Sequence, residues 1–473
     1  MDDDDPKSLD LMELTYAAEH EDTSAQVALA DIHQEGLGLP NHGGAALYWY
    51  EKAARRGAAV AQLRLGEVHY HKDLPTAIFW FRKAALQGHA AAQYRLGFTL
   101  LKNRDGEKKE VSSRAEALSL IHSAASKDHI SAILLLGTMY SGGTMYGGGT
   151  PGVKRNDSKA FMWRLKAAQL DHPEAQFHVG SMYFYGCGVK QNDSEAYRWL
   201  RMASNQNNAR AQENLAYMYS NGIGVRRDHH EAYHLYLQAA NQGAVVAQHS
   251  LGFMFNTGRG VEEDPEEAAA WFLEAAENGY FHSQLHIGML YESGRGVPQN
   301  FVLAAEWYHE AAMQDQPLAQ YKLGAMYDFG RGVEQNDKKA AEWFKRSSEN
   351  GIKMAYVALG TIYELGISVK QSDDRAEACF RRVADEDNSD VQSHLQLLKD
   401  RRRSQVQSNE QIVSFYRQEA DQENPAAQFH LGLMYEKGLM GLPHNITKAV
   451  AWYKEAMAQG HHNAAYRTER LVE

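Results

Sequence analysis

Cysteine is scarce in this sequence. Only 2 cysteines, Cys187 and Cys379, occur among its 473 residues, and they lie far apart in the chain. A disulfide framework or a cysteine zinc site needs several cysteines at characteristic short spacings. We therefore expect neither kind of site here.

Long apolar runs and an excess of basic charge are also missing. No run of about 18 apolar residues occurs, so no membrane span is predicted. The net charge is −11, which argues against nucleic acid as the main partner because phosphate binding needs a basic face. Four aspartates follow Met1, whereas a secretory signal begins with positive charge and an apolar stretch. We expect a cytoplasmic protein that does not bind nucleic acid.

The chain is instead rich in internal repetition, at a step of 36 residues. The segment A-Q-F-H-V-G-S-M-Y-F-Y-G-C-G at Ala175 returns as A-Q-E-N-L-A-Y-M-Y-S-N-G-I-G at Ala211 and as A-Q-H-S-L-G-F-M-F-N-T-G-R-G at Ala247. The other copies start at Ala25, Ala61, Ala92, Ala132, Ser283, Ala319, Ala355, Val391 and Ala427. Such a period is typical of stacked helical repeats.

Each repeat predicts two antiparallel helices. In the copy at Ala175, Val179 and Met182 share one helical face. The glycine-marked segment 186–189 predicts the end of the first helix and a turn, and Asn192 suits the start of the second helix. Gly180 is small where the two helix backbones would approach closely. One hairpin cannot bury both of its faces, so neighbouring copies must stack.

We therefore predict an all-α fold, a right-handed α/α superhelix of about twelve helix-turn-helix repeats. The predicted parts are an acidic segment with a lone capping helix over 1–24, ten repeat copies over 25–390, a degenerate repeat over 391–426, the last repeat over 427–463 and a C-terminal capping helix over 464–473.

Three copies depart from the pattern. Residues 102–113 replace a glycine turn with a polar loop, and residues 142–152 form a glycine-rich insertion. The insertion lacks a following Lys-Ser/Thr, so it is not a phosphate-binding loop. In the degenerate repeat, basic residues around Arg401 stand where turn glycines should be. We expect 399–410 to be an exposed, solvated connection and the mechanical weak point of the stack.

The pattern A-Q-x-x-L-G-x-x-Y-x-x-G-x-G-V, then N-D-x-x-K-A-x-x-W-F-x-x-A-A-x-x-G, resembles the Sel-one-like repeat, a variant of the tetratricopeptide repeat. It is clearest from Ala319 to Gly351 and extends over about residues 25–463. The resemblance implies an α-solenoid. Similar proteins serve as adaptors in endoplasmic-reticulum protein disposal, chitin-synthase regulation, bacterial signalling and host interaction. A disulfide-rich secreted branch has cysteine pairs in each hairpin, and this chain lacks them.

One segment matches a metal motif. His230-Glu231-Ala232-Tyr233-His234 fits H-E-x-x-H, in which two histidines on one helical face hold zinc and the glutamate acts as general base. Ala232, however, occupies the small packing position of the repeat, and His234 occupies a variable position. No third ligand is indicated, so we predict no metal, no cofactor and no catalytic residue, and keep a zinc hydrolase at this segment as a remote alternative.

Two residue types recur at single repeat positions. Methionine does so at Met139, Met182, Met218, Met254, Met326 and Met434, where we predict core filling. Histidine does so at His178, His286, His394 and His430. Because these histidines are separated by whole repeats, we predict that they spread along the solenoid and do not converge, as catalytic groups must.

Superhelical repeats usually bind partners along the concave face, and the resemblance implies a groove lined by first helices. Three ladders of variable residues map to it. They are Phe177, Glu213, His249, Leu285 and Tyr321; Ser181, Tyr217, Phe253, Met289 and Ala325; and Phe184, Ser220, Asn256, Glu292 and Asp328. Aromatic anchors with polar neighbours suit an extended peptide. Acidic residues of the C-terminal half, namely Glu292, Asp328, Glu364 and Glu436, predict a basic or neutral partner.

Our leading hypothesis is a non-enzymatic scaffold or adaptor that binds a partner protein or peptide through this solenoid. The alternative is a secreted effector or a cell-envelope or signalling regulator that uses the same surface. The sequence leaves the oligomeric state open.

Overall fold

The computed structural model describes residues 6–35, 43–102, 110–142, 153–384, 389–406 and 408–472. The chain divides into two compact units, residues 1–235 and 236–473. Over the described ranges it consists of helices and turns without β-strands. The first twelve helices are α1 Pro6–Glu19, α2 Thr23–Glu35, α3 Gly43–Arg55, α4 Ala59–His69, α5 Leu74–Leu86, α6 Ala90–Lys102, α7 Glu110–Ser126, α8 Ile130–Tyr140, α9 Asp157–Gln169, α10 Pro173–Tyr185, α11 Asp193–Asn205 and α12 Ala209–Asn221.

The unit boundary falls within α13, His229–Ala240. The second unit continues with α14 Val245–Thr257, α15 Pro265–Glu277, α16 Phe281–Ser293, α17 Phe301–Met313, α18 Pro317–Phe329, α19 Asp337–Glu349, α20 Lys353–Leu365, α21 Asp373–Arg381, α22 Ser389–Arg403, α23 Asn409–Asp421, α24 Pro425–Lys437, α25 Ile446–Ala458 and α26 His462–Val472. Within each unit, first and second helices pair as hairpins, for example α10 with α11 and α18 with α19. The predicted all-α solenoid of helical hairpins is confirmed.

The two helices of a hairpin touch at a glycine of the first helix. A Cβ atom on Gly180 would lie 2.7 Å from Leu200 Cγ, and one on Gly324 would lie 2.8 Å from the ring of Phe344. The same glycine-to-ring approach recurs for Gly66 with Phe81, Gly252 with Phe272, Gly288 with Tyr308, Gly360 with Phe380 and Gly432 with Tyr453. The predicted close approach at Gly180 is confirmed.

The Gly-x-Gly turn serves two contacts. Gly186, at a φ of +70°, ends α10 in the left-handed region that favours glycine. Gly188 packs directly on the carbonyl of Asp157 in the preceding second helix, where a Cβ atom would overlap it. The side chain of Asn192 then accepts a hydrogen bond from the backbone N–H of Glu195 and begins α11. The predicted turn and cap are confirmed.

In seven repeats, the glutamine of the A-Q motif joins the repeat to the helix before it. The Gln62 amide donates to the carbonyl oxygen of Ala54 at 3.1 Å, and Gln284 donates to Ala276 at 3.2 Å. The same carbonyls also accept a backbone N–H of the following turn, for example that of Gly57 at 3.1 Å on Ala54. The glutamine amide therefore adds a second hydrogen bond to a carbonyl at a helix end and pairs its own buried N–H group. The bond recurs at Gln26, Gln93, Gln176, Gln320 and Gln428.

The degenerate repeat differs from its prediction. Without turn glycines, α22 continues to Arg403 and carries Arg401 into the interior. The Arg401 guanidinium donates to the Tyr416 hydroxyl at 2.7 Å and pairs with Asp373. The expectation of a solvated turn at Arg401 was therefore wrong, although Arg403 is exposed. Helix α22 packs on α21 and α24, whereas other first helices pack mainly on their own hairpin partners.

The structure tests the prediction made for the methionine series but does not describe most of the two irregular loops. The methionine series is buried at all six positions, which confirms its core role. The segments 103–109 and 143–152, which carry most of the polar loop and the glycine insertion, lie outside the described residues, as do residues 1–5. Within the described ranges, no helix is both long and apolar enough to cross a membrane.

Replacing Gly180 by alanine should lower the free energy of unfolding by about 1 to 3 kcal/mol, because the added methyl group overpacks Leu200. The measurement is thermal and urea unfolding followed by far-ultraviolet circular dichroism. Gly44→Ala is the matched control, since a Cβ atom there meets nothing within 4 Å. Equal stability of the two variants would contradict the close-approach interpretation.

Candidate binding surface

The three ladders lie on first helices, and we call the surface that they form within each unit the first-helix face of that unit. In the first unit its most exposed predicted residue is Tyr217 on α12, with 49% of its surface accessible. The ring of half-buried Phe184 on α10 meets it edge to face, with centroids 6.2 Å apart. Neighbouring repeats thus present two aromatic rings together.

The other predicted residues of the first unit are more enclosed. Phe177 is buried under the Arg210 guanidinium, which lies 4.3 Å from the ring centroid. The Ser181 hydroxyl donates to the carbonyl oxygen of Phe177 at 3.0 Å. Glu213 and Ser220 are half-buried, and burial raises the pKa of Glu213. These side chains support the aromatic pair and are less available to a ligand.

In the second unit, Phe253 on α14 and Met289 on α16 reach solvent, with 38% and 37% of their surfaces accessible. The Arg259 guanidinium lies 5.4 Å from the Phe253 ring centroid, within cation–π range. Asn256 is half-buried and Leu285 is buried. The exposed apolar positions thus belong to the second ladder, and the first ladder packs inward.

His249 lies in a histidine-rich part of the same unit. Its Nδ1 is 2.8 Å from the Ser283 hydroxyl, and its ring contacts Phe272 and His286. Burial, together with the nearby His286 and His282, lowers the pKa of His249 to about 3. The imidazole is therefore neutral near pH 7.

The acidic residues at the end of the third ladder are bound by other side chains of the same protein. Glu292 is buried and accepts hydrogen bonds from the Tyr308 hydroxyl at 2.6 Å and from Lys322 Nζ at 3.0 Å. Its other oxygen accepts from Arg470 of α26 at 2.9 Å. Burial alone would raise the pKa of Glu292, but Lys322, Tyr308 and Arg470 together outweigh this effect, and the pKa is lowered. This carboxylate is fully paired.

Asp328 is bound in the same way. Arg467 of α26 donates to Asp328 at 2.5 Å and to Glu436 at 2.7 Å, and Lys437 lies 2.8 Å from Asp328. Half-buried Tyr321 and buried Ala325 line the adjacent cavity together with α26. Helix α26 therefore lies on the first-helix face of α16 and α18. The expectation that these carboxylates offer free negative charge was wrong, because internal cations neutralise them.

The prediction that the repeated histidines do not converge was wrong for one pair, His394 and His430. His394 and His430 both face Glu364, whose Oε2 lies 3.6 Å from His394 Nδ1 and 3.1 Å from His430 Nε2. Burial alone would raise the pKa of Glu364, but His430 and His394 outweigh it and hold the pKa well below its usual range. The physical reason is that consecutive repeats stack with a constant offset, so residues at the same position of neighbouring repeats lie next to each other.

The H-E-x-x-H segment has no such surroundings. His230, Glu231 and His234 are all exposed, and the two imidazole centroids are 4.5 Å apart. Among the described residues, Glu364, His394 and His430 form the one group of three or more such side chains close enough to share a metal ion. The alternative of a zinc hydrolase at His230 has no third ligand to support it.

Sequence reasoning missed the residues that complete these clusters. Arg467 and Arg470 lie three positions apart in the last helix, a spacing that places both on one helical face. That spacing indicates a basic stripe, but it does not identify the carboxylates that the stripe meets. For His394 and His430, the 36-residue separation was itself the available signal.

The comparisons with known proteins agree on the family of this architecture. The Sel1 repeat profile matches residues 23–57, 59–89, 90–129, 130–172, 173–208, 209–243, 245–280, 282–316, 317–352, 353–388 and 425–461. A protective antigen of uropathogenic Escherichia coli strains, which displays an SLR fold, is 29% identical with a TM-score of 0.70, covering 98% of this chain and 90% of that chain. A Sel1 repeat protein from Oxalobacter formigenes is 30% identical with a TM-score of 0.54, covering 66% of this chain and 90% of its own. The search of curated proteins gives no match.

Arg467→Ala should lower the free energy of unfolding by about 3 to 5 kcal/mol, because it removes the arginine that pairs two buried carboxylates, Asp328 and Glu436, and leaves Lys437 as the cation they share. Denaturant unfolding measures the change. Arg403→Ala, in the same unit but with 76% of its side chain exposed, is the control and should be nearly neutral. Similar losses in both variants would contradict the buried ionic network.

Acid should destabilise the second unit through His249. Its folded pKa of about 3 lies below the unfolded value of about 6.5, so the unfolded chain binds the proton first. This contribution to stability is full above about pH 6.5 and is lost progressively as the pH falls toward 3. The melting temperature of His249→Phe should fall less between pH 7 and 4 than that of wild type. The exposed His309→Phe should follow wild type, and an identical slope for all three would refute the assignment.

Proposed function

Because the chain belongs to the Sel1 repeat family, we propose that it is a non-enzymatic scaffold that binds a partner protein in the cytoplasm. Sel1 repeat solenoids are generally protein-interaction scaffolds. The chain offers such a partner a long series of equivalent positions on a fixed framework. Repeat stacks present extended binding surfaces of this kind.

Our choice of the first-helix face as the binding surface rests on one observation. On the first-helix face, the second-ladder positions combine exposure with large apolar side chains, namely Tyr217 in the first unit and Phe253 and Met289 in the second. Aromatic side chains and methionine are enriched at protein interfaces. Phe184 contacts Tyr217 and the Arg259 guanidinium lies beside Phe253, and such contacts restrain these side chains, which lowers the entropy that binding must remove.

The paired carboxylates of the second unit bear on the charge of the partner. In the second unit the acidic positions Glu292 and Asp328 are already paired with Arg470 and Arg467. These two carboxylates therefore offer no unpaired negative charge to a partner, and we propose that the partner contributes a neutral segment with apolar side chains. A basic segment would first have to displace α26.

A second candidate has support from one relative. The Escherichia coli protein with a TM-score of 0.70 is described as a protective antigen. We therefore also consider a secreted effector or a cell-envelope or signalling regulator that binds through the same first-helix face. Fractionation of cells that express tagged full-length protein separates the two candidates, because the scaffold hypothesis requires the protein in the cytoplasmic fraction.

Tyr217→Ala should weaken partner binding about ten-fold while leaving helicity unchanged, since the side chain is an exposed anchor. Partners captured from the source cells by wild-type protein are purified and their affinities for each variant are measured by titration calorimetry. Tyr48→Ala is the matched control, because Tyr48 is 57% exposed on second helix α3 of the same unit.

The second unit is tested separately. Phe253→Ala combined with Met289→Ala is compared with Met457→Ala, which changes a methionine that is 44% exposed on second helix α25. Wild-type affinity in both anchor variants, or an equal loss in the controls, would refute the first-helix face as the binding surface.

A further inference from the structure

Three buried side chains meet where the repeat pattern is weakest. Glu364 on α20, His394 on α22 and His430 on α24 are each fully buried, and one ligand atom from each lies within 4.8 Å of the other two. Consecutive first helices therefore supply one donor each. Two imidazoles and a carboxylate form a ligand set that zinc commonly takes in proteins.

The ligand atoms of this group contact one another but make no well-formed hydrogen bond to the rest of the described protein. Among the described residues, Glu364 Oε2, His430 Nε2 and both ring nitrogens of His394 have no hydrogen-bond partner of acceptable geometry. Buried polar atoms are almost always paired, so four orphaned atoms at one point require an explanation. Elsewhere in the second unit, buried carboxylates such as Glu436 are paired with arginine and tyrosine.

Neighbouring groups hold these atoms in position. His430 Nδ1 is 2.7 Å from the carbonyl oxygen of Ala426, so Nδ1 carries the proton and the Nε2 lone pair faces Glu364. The Tyr416 hydroxyl donates to Glu364 Oε1 at 2.9 Å and itself accepts from Arg401 at 2.7 Å. Such outer hydrogen bonds orient metal ligands and fix the imidazole tautomer.

We propose that Glu364 Oε2, His394 Nδ1 and His430 Nε2 bind a zinc ion. Bonds of about 2.0 to 2.1 Å to a tetrahedral ion place neighbouring ligand atoms about 3.3 to 3.4 Å apart. The observed separations of 3.1 and 3.6 Å from Glu364 Oε2 bracket that value. His461 supplies the nearest further imidazole, its centroid 5.5 Å from that of His394 and its Nε2 also without a partner among the described residues.

The site is structural, since all three side chains are inaccessible to a substrate. It joins α20, α22 and α24 across the degenerate repeat, which has lost its turn glycines. The first helix of that repeat, α22, packs mainly on α21 and α24. A metal bound to the folded state alone stabilises that state. The ion thus restores a connection that the degenerate repeat cannot make through its hairpin.

The test uses full-length protein stripped with a chelator, reloaded with zinc and dialysed against a weak competing chelator. We expect one zinc ion per chain by elemental analysis and a higher melting temperature in the loaded form. Glu364→Gln keeps the Tyr416 hydrogen bond but removes the anionic ligand, and His430→Asn removes one imidazole. Each should weaken zinc binding by about a hundred-fold or more, beyond the loss seen for outer groups.

Two controls locate the site. His286→Gln changes the same repeat position in a repeat where no carboxylate joins it, and His234→Ala changes the exposed H-E-x-x-H segment. Both should bind zinc as wild type does. Absence of stoichiometric zinc in wild type, or its retention in Glu364→Gln and His430→Asn, would overturn the proposal.

X-ray absorption spectroscopy of the loaded wild-type protein decides the matter even if the ligand variants do not fold. Nitrogen and oxygen neighbours at about 2.0 to 2.1 Å, with the multiple-scattering pattern of two or more imidazoles, are expected. A sulfur neighbour at about 2.3 Å would assign the zinc to Cys187 or Cys379 and refute the site.

Discussion

The hydrogen bond from the buried glutamine to the preceding repeat is the interaction on which the rest of each unit depends. It ties a first helix to the end of the preceding second helix, as Gln62 does by donating to the Ala54 carbonyl, which also accepts from the backbone N–H of Gly57. With the packing of Gly188 on Asp157, it holds each hairpin at one offset from its predecessor. Equal positions then lie side by side, which is why ladders exist and why His394 and His430 meet.

Most of the fold was predictable because its determinants are local. The glycine contact of Gly180, the turn at Gly186 and the cap at Asn192 each depend on residues of one hairpin or its immediate neighbour. The periodic sequence displays these constraints many times, so a single chain is enough to separate packing positions from variable ones. The exposed anchors Tyr217 and Phe253 follow from the same alignment.

The buried polar clusters were less predictable, since their partners come from distant parts of the chain. Arg470 reaches Glu292 across 178 positions, and Arg467 reaches Asp328 across 139. Alignment of the repeats identifies the repeat position that a residue occupies. It does not predict which earlier repeats the C-terminal helix packs against. Arg401 shows a further limit, because the loss of turn glycines lengthened α22 and changed the side that the arginine faces.

The contacts between repeats also constrain how the gene can change in length. Most consecutive repeats are related by the same offset, so the fold can tolerate the gain or loss of a whole hairpin by unequal recombination. The repeats on either side can still form the glutamine hydrogen bond and the glycine turn. Two stretches of the second unit do not share this freedom. A hairpin inserted between α20 and α24 would separate Glu364 from His430, and one inserted between α18 and α26 would move Arg467 away from Asp328. Over evolutionary time, length variation should concentrate upstream of residue 281, where the contacts between repeats, in the part of the chain that the structure describes, are made by neighbouring repeats.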